Sequence, residues 1–184
     1  PEVLKTTPGV WATKDGGGFG DAKINMRGFQ SANVAVLVNG IPVNDMEGGW
    51  VYWSNWAGLG DVASNIQTQR GLGAAILSAP SIGGTINITT RSLDAKRGGS
   101  VFYGFGNDIG MNVSTGLMKN GWAITLQGAR RWGDGYVQGT DFNSYSYFLN
   151  ISKRINDRHQ LSLTAFGAPQ NHNKRSSQDG LTIM

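Results

Sequence analysis

The side chains best equipped for chemistry crowd one short stretch. Between positions 44 and 56 stand Asp45, Glu47, Trp50, Tyr52, Trp53 and Trp56. Aromatic faces beside carboxylates can stack on a sugar ring, a flat chelate or a cationic group. The competing reading is that these rings pack their loop against the rest of the protein, and Trp50, Tyr52 and Trp53 cannot all be free. Covalent and metal chemistry have little to work with. The chain has no cysteine, which excludes a disulfide scaffold, a thiolate metal site, an iron–sulfur cluster and a cysteine nucleophile. His159 and His172 are the only imidazoles. His159 follows the Asn156-Asp157 turn, and His172 sits in the polar run Asn171-His172-Asn173, read as a solvated loop. There is no G-x-S-x-G, P-loop or H-E-x-x-H motif. Gly16-Gly17-Gly18 lacks the Lys and Ser/Thr of a phosphate cradle and reads as a flexible loop. The expectation is a binding protein, not an enzyme, with no cofactor and no metal.

The elements that must position such a loop are β-strands. Of 184 residues, 28 are glycine and only 15% are charged. Glutamate occurs only at Glu2 and Glu47, so the usual solvent-facing helix composition is missing. The longest apolar run, Val34-Ala35-Val36-Leu37-Val38, is far short of the ~20 residues a membrane helix needs. Pro1 is neither an initiator methionine nor the start of a signal peptide, so the natural start is expected upstream or removed. Charge is uneven. Residues 1–96 hold seven basic against seven acidic side chains, and the net +4 lies wholly in residues 97–184. The basic residues form no dense stripe interleaved with aromatics, which argues against nucleic acid. Charge and pattern both change near Arg97-Gly98-Gly99, the expected domain boundary.

Beyond it, five runs alternate with period two. The first sets Val101, Tyr103 and Phe105 on one side, and the second Met111, Val113 and Leu117. The third opposes Trp122, Ile124 and Leu126 to Thr125 and Gln127. The fourth opposes Tyr145, Tyr147, Leu149 and Ile151 to Ser144, Ser146, Asn150, Ser152 and Arg154. The fifth opposes Leu161, Leu163 and Ala165 to Gln160, Ser162 and Thr164. A soluble sandwich alternates too. A membrane barrel is favoured by the hydrogen-bonding polar face and by aromatics near strand ends (Trp122, Trp132, Tyr136, Tyr145). Connections that are short at one end and long at the other point the same way. Strands three and four are separated by residues 133–142, and strand five runs into a long polar segment from Gln170. Five strands cannot close a bilayer-spanning barrel. The chain is then part of a larger protein, or the barrel reading fails.

The first half carries motifs in a specific order. Ile24-Asn25-Met26-Arg27-Gly28-Phe29 is followed by Val36-Leu37-Val38-Asn39-Gly40-Ile41-Pro42, then Arg70-Gly71. Last comes Ser81-Ile82-Gly83-Gly84-Thr85-Ile86-Asn87-Ile88-Thr89-Thr90-Arg91, and Pro8-Gly9-Val10 precedes them all. Physically, Asn39-Gly40 marks a strand turn, Pro42 halts a ladder, and Gly83-Gly84 permits backbone closed to other residues where the last strand must leave for the wall. This order resembles the plug domain of TonB-dependent outer-membrane receptors, running into the first strands of their 22-stranded barrel.

The resemblance implies a mainly β chain: a partial plug domain, small and mixed α/β, over residues 1–96, then about five antiparallel strands of an incomplete transmembrane β-barrel over 97–184. It implies a receptor in the outer membrane, surrounded by its lipid, that binds a scarce solute (siderophore, vitamin, glycan or peptide). Such receptors import it when TonB pulls a segment upstream of Pro1; a surface lipoprotein is a further possible partner. The alternative is a non-transporting barrel, a passive porin or an adhesin. In the family, the loops corresponding to residues 14–19, 30–33 and 44–56 face the ligand. The implied substrate contacts are therefore Asp15, Gln30, Asp45, Glu47, Trp50, Tyr52 and Trp53. The family's plug arginines, carried over to Arg27 and Arg70, pair with acidic groups of the wall. Three departures stand out. Asn39 replaces a frequent aspartate, Leu77-Ser78-Ala79 a tyrosine-glycine pair, and the glycan-importing branch's end-of-plug motif is missing. The last departure weakens a glycan ligand.

Overall fold

The computed structural model describes residues 2–14, 22–71, 81–104, 108–135 and 138–173. Asp15, residues 16–19, Leu77 to Ala79, Phe105 and Tyr136 therefore lie outside the described residues.

The first part contains two small sheets. After a 3-10 turn at Glu2–Thr6, β1 (Val10–Lys14) pairs antiparallel with β2 (Ala22–Met26). The second sheet contains β3 (Val34–Val38), β4 (Ile41–Pro42), β5 (Ala63–Arg70) and β6 (Gly84–Thr90), in the order β4-β3-β6-β5. All five residues of β3 are buried. A strand covered on both faces needs an uninterrupted apolar run, and its pairing with β6 is parallel, the arrangement that goes with such burial. A one-turn helix, α1 (Leu59–Val62), lies on the crossover between them. One apolar cluster fills the space between the two sheets, with Ile24, Met26, Val34, Val62 and Ile86 at its centre.

Asn39-Gly40 turns as expected, with φ of 53° and 81°, the left-handed pair of a tight hairpin. Its side chain does more. The Asn39 Oδ1 accepts the Thr90 N–H at 2.8 Å and ties the turn to the end of β6. Pro42 ends β4, and an amide side chain takes over the edge of β3. Asn44 Oδ1 accepts the Val36 N–H at 2.8 Å, and Asn44 Nδ2 donates to the Val34 carbonyl at 3.0 Å. The Gly83-Gly84 pair has a different reason from the expected one. It opens β6 instead of releasing it. A side chain on Gly84 (φ 139°) would strike the Gln69 carbonyl and the Met26 sulfur, and one on Gly83 would meet Phe29. These glycines allow β2, β5 and β6 to approach closely.

The remaining strands form an antiparallel meander: β7 (Gly98–Gly104), β8 (Asp108–Ser114), β9 (Trp122–Gly133), β10 (Phe142–Arg154) and β11 (Gln160–Gly167). The pairing of β9 with β10 runs unbroken from Gly133 opposite Phe142 to Trp122 opposite Lys153. Two expectations are corrected. Leu117 is not in the second strand, which ends at Ser114. The Thr115 hydroxyl takes the Ile124 N–H at 2.9 Å and the chain bulges at Gly116, φ 60°. The segment from Gln170 is not all loop. Gln170–His172 forms β12, which pairs with Phe142, Asn143 and Ser144 where β11 has stopped. The Pro169 carbonyl bridges the gap by accepting the Tyr145 N–H at 2.9 Å. His172 thus lies in a strand, not a free loop.

This third sheet is inside out along β9 and β10. There most polar residues are covered and most large apolar ones bare: Thr125 is 2% exposed beside Leu126 at 49%, and Ser152 is 0% exposed while Tyr147 is 54%. Ser144, Ser146, Asn150 and Ser152 face the first part of the chain, and Phe148 joins its apolar cluster. The chain is thus mainly β, a plug-like start followed by antiparallel strands whose barrel is not closed within these residues.

Candidate ligand apex and plug–wall contacts

Two loops meet at the start of β3. One is the 3-10 turn Ser31–Asn33, capped by Gln30 through backbone alone. Buried Ser31 fixes it to β2 by donating to the Ile24 carbonyl at 2.8 Å and accepting the Ile24 N–H at 3.1 Å. The other is the turn of residues 45–50. It leans on the first so closely that a side chain on Gly49 would come within 2.9 Å of the Ala32 carbonyl. Asn44 Nδ2 holds the turn from beneath through the Gly49 carbonyl, at 2.8 Å.

Asp45 has a different place from that expected. Its Oδ1 accepts the backbone N–H groups of Gly48, Glu47 and Gly49, and its Oδ2 accepts that of Trp50. The Gly48 N–H foremost, then its neighbours, hold this carboxyl below the usual range. Asp45 builds the turn and has little left for a ligand. Trp53 is a core residue, 9% exposed, with an indole N–H that finds no partner among the described residues. Gln30, Glu47, Trp50 and Tyr52 remain exposed on the surface these loops create, together with Met46. Chemically this is a face of two rings, one exposed carboxylate and one amide.

Arg27 and Arg70 come together at Gly9. Arg27 follows β2 in the left-handed region, φ 53°, and its N–H donates to the Gly9 carbonyl at 2.9 Å. Arg70 closes β5 and donates from Nη1 to the Pro8 carbonyl at 3.4 Å. A side chain on Gly9 would touch Arg70 Cδ at 3.7 Å and Arg27 Cγ at 3.9 Å. Both arginines are exposed, and neither has an ion pair among the described residues. Like charges held side by side call for a negative group between or above them.

The second loop continues along the inner wall, in line with the competing reading of its rings. Trp56 meets Phe166 with ring centroids 4.8 Å apart, and Asn55 Oδ1 accepts from Gln170 Nε2 at 3.3 Å. Gly58, φ 80°, lies so close to Ser146 and Gln127 that any side chain there would collide. Ser92 and Ser152 share a hydroxyl hydrogen bond at 3.1 Å. Burial raises the Asp61 carboxyl, against the pull of Arg131. Arg131 itself is committed to Asp108, with Nη2 2.9 Å and Nε 3.1 Å from Oδ2. One signal was readable in advance: Phe148 is the single apolar residue in the inward series Ser144, Ser146, Phe148, Asn150, Ser152.

Residues 1–85 match the family described as TonB-dependent Receptor Plug Domain. Over that stretch the chain is similar to the plug of TonB-dependent receptors. A vitamin B12 transporter BtuB from Vibrio vulnificus is 28% identical over 166 residues, covering 85% of this chain and 27% of that protein. A probable TonB-dependent siderophore receptor PirA from Acinetobacter baumannii is 29% identical over 149 residues, covering 69% and 20%. Among solved structures, the unliganded ferric citrate transporter FecA superposes with a TM-score of 0.67 at 19% identity, over 94% of this chain and 29% of its own. The copper transporter OprC gives 0.70 at 17%, over 94% and 28%. The chain thus spans under a third of the length of these relatives. The plug-like sheets and the inside-out meander together account for the likeness of fold.

Proposed function

We propose that the whole protein is an energy-coupled receptor of the outer membrane that binds a scarce solute and imports it into the periplasm with TonB. The observation that carries this reading is the inverted sheet. Its hydroxyl and amide face closes on the plug, and its leucine, valine and tyrosine face is left bare, as lipid requires. The open edges along β7 and β11 would each cost several kcal/mol per unpaired group in hydrocarbon. In the proposed receptor other strands of the protein cover them. The plug ends and the wall begins near Lys96 and Arg97, and TonB acts through a segment outside these residues.

The proposed ligand face comprises Gln30, Glu47, Trp50 and Tyr52, and Asp15, outside the described residues, is proposed as a further contact. Two exposed rings and one carboxylate suit a flat or bulky chelate better than a polyanion, in keeping with the vitamin B12 and siderophore names among the relatives. Arg27 and Arg70 are proposed to pair with carboxylates of wall strands beyond these residues. The test is uptake of a labelled corrinoid and a panel of ferric siderophores into cells carrying this protein as their sole receptor. At least one solute should accumulate, and only with the energising complex intact. Equal uptake without that complex would leave a passive pore.

A further inference from the structure

The outward face of the wall is bounded at both ends by a cation lying on an aromatic ring, and the two ends differ. At the rim where the chain leaves the plug, Lys153 Nζ lies 4.9 Å from the Trp122 ring centroid. It also donates to the Asn120 carbonyl at 2.7 Å. At the far rim the Arg130 guanidinium lies 5.0 Å from the Trp132 ring and 5.5 Å from the Tyr145 ring. Arg130 Nε donates to Asn143 Oδ1 at 3.1 Å. Ile124, Leu126, Tyr147, Leu149 and Ile151 fill the face between the rims. Trp122 and Trp132 are ten residues apart on one strand, about 34 Å at ~3.4 Å per residue. A tilt of about 35–45° reduces this to roughly 24–28 Å along the membrane normal, the height of an outer-membrane apolar band. Both rims therefore sit at headgroup depth.

The next residue along, Arg131, points inward and is neutralised by Asp108. Arg130 points outward, is exposed, and has no ion pair among the described residues. Two rings and one amide fix the plane of its guanidinium, while its Nη1 and Nη2 groups have no hydrogen-bond partner among those residues. We propose that Arg130, clamped by Trp132, Tyr145 and Asn143, binds the phosphate of an anionic lipid at the far rim. A planar fork with two outward donors matches a phosphate oxygen pair. Lys153, already spent on a backbone carbonyl, is the weaker counterpart at the opposite rim.

The proposal rests on the outer-membrane reading, and the two fail separately. The full-length receptor is folded into vesicles of phosphatidylcholine with one-tenth phosphatidylglycerol. Heat-modifiable gel mobility reports insertion, and native mass spectrometry after mild detergent extraction reports retained phosphatidylglycerol. Arg130→Ala should insert normally and retain phosphatidylglycerol about tenfold more weakly, while Arg130→Lys should fall between. Lys153→Ala should retain it as the unaltered protein does, and millimolar inorganic phosphate should not displace it. Undiminished retention in Arg130→Ala, an equal loss in Lys153→Ala, or complete displacement by inorganic phosphate would each overturn the proposal. Should Arg130→Ala fail to insert, Arg130→Lys decides, because it keeps the charge and loses only the fork. Failure of the unaltered receptor to insert at all would instead count against the outer-membrane reading.

Discussion

The most direct physical test of the inverted sheet is a charge placed in the middle of its bare face. Leu126 lies four residues from Trp122 and four from Arg130, so each rim is about 14 Å away along the strand and roughly 10 Å along the membrane normal. Leu126→Arg therefore puts a guanidinium near the midplane, where an outward charge costs about 2–4 kcal/mol. Ile109 pairs with Arg130 across the sheet and is 43% exposed, so Ile109→Arg sits at rim depth and should cost about 0–1 kcal/mol. If water covered the same face, both changes would replace a half-exposed apolar side chain by a solvated one, each within roughly 0.5 kcal/mol of neutral. The two situations differ by a factor of several, well outside the error of a titration.

The assay is equilibrium guanidinium unfolding of the full-length protein from phosphatidylcholine vesicles, followed by tryptophan fluorescence. The expected outcome is a large loss of stability for Leu126→Arg and a small one for Ile109→Arg. A Leu126→Arg protein as stable as Ile109→Arg would refute the lipid-facing assignment, and with it the reason for reading this sheet as a barrel wall.

Three further outcomes follow from the plug. Ser31→Ala strands the N–H and carbonyl of Ile24, a residue 2% exposed; the denaturation midpoint should fall by an amount equivalent to about 1–3 kcal/mol, with m unchanged. Asp45 has a depressed pKa, so its contribution is present above the unfolded value of 3.8 and lost as pH falls through the lower folded one. Hydrogen exchange at Gly48, Gly49 and Trp50, corrected for intrinsic rates, should lose protection only below about pH 3.8, whereas Asp45→Ala should be unprotected at every pH. Asp61 has a raised pKa from burial, so it favours folding below pH 3.8 and loses that advantage as pH rises through its folded value. Asp61→Asn should stabilise the folded receptor at neutral pH by unfolding titration, with the gain vanishing near pH 3.

Much of the wall was legible in the sequence because the middles of β9 and β10 follow period two closely, with Phe148 the large exception on the inward face. Alternation alone could not say which face is inward. That depends on whether Leu126 or Thr125 meets the plug, a long-range fact invisible in a local pattern. Leu117 was misplaced for a local reason: the Thr115 hydroxyl substitutes for a backbone group, and the strand has ended at Ser114 before Leu117 is reached. Gln170–His172 looked like loop because its composition is polar. It is a strand only because Phe142 to Ser144 offer unpaired backbone across the sheet. In the plug, Asn39-Gly40 was readable from turn chemistry, since only a few residue types tolerate two consecutive left-handed positions. Asp45 and Trp53 were expected at the ligand, and the structure also gives each a local task, Asp45 in its turn and Trp53 in the core. An Asp beside glycines builds a turn as readily as it binds a ligand, and one Trp of a cluster must serve as core.

The chemistry of the plug–wall contact bears on the proposed transport in a specific way. Among the described residues, the ion pair near this interface, Arg131 with Asp108, lies within the wall and not across it. The contacts that cross among the described residues include a serine–serine bond, an amide–amide bond, a tilted ring pair and the insertion of Phe148. Each neutral hydrogen bond is worth a net of only about 0.5–1.5 kcal/mol, because water can replace either partner. A buried ion pair across the same gap would instead leave an uncompensated charge on separation, at about 3–5 kcal/mol. Asp61 makes no ion pair with Arg131 among the described residues, and burial raises its carboxyl against the pull of that charge. This sector of the wall therefore holds the plug in register through close fit at Gly58 and through one phenylalanine, while opposing its displacement only weakly. In the proposed receptor, stronger electrostatic restraint would fall to Arg27 and Arg70, whose exposed guanidiniums await partners from other strands.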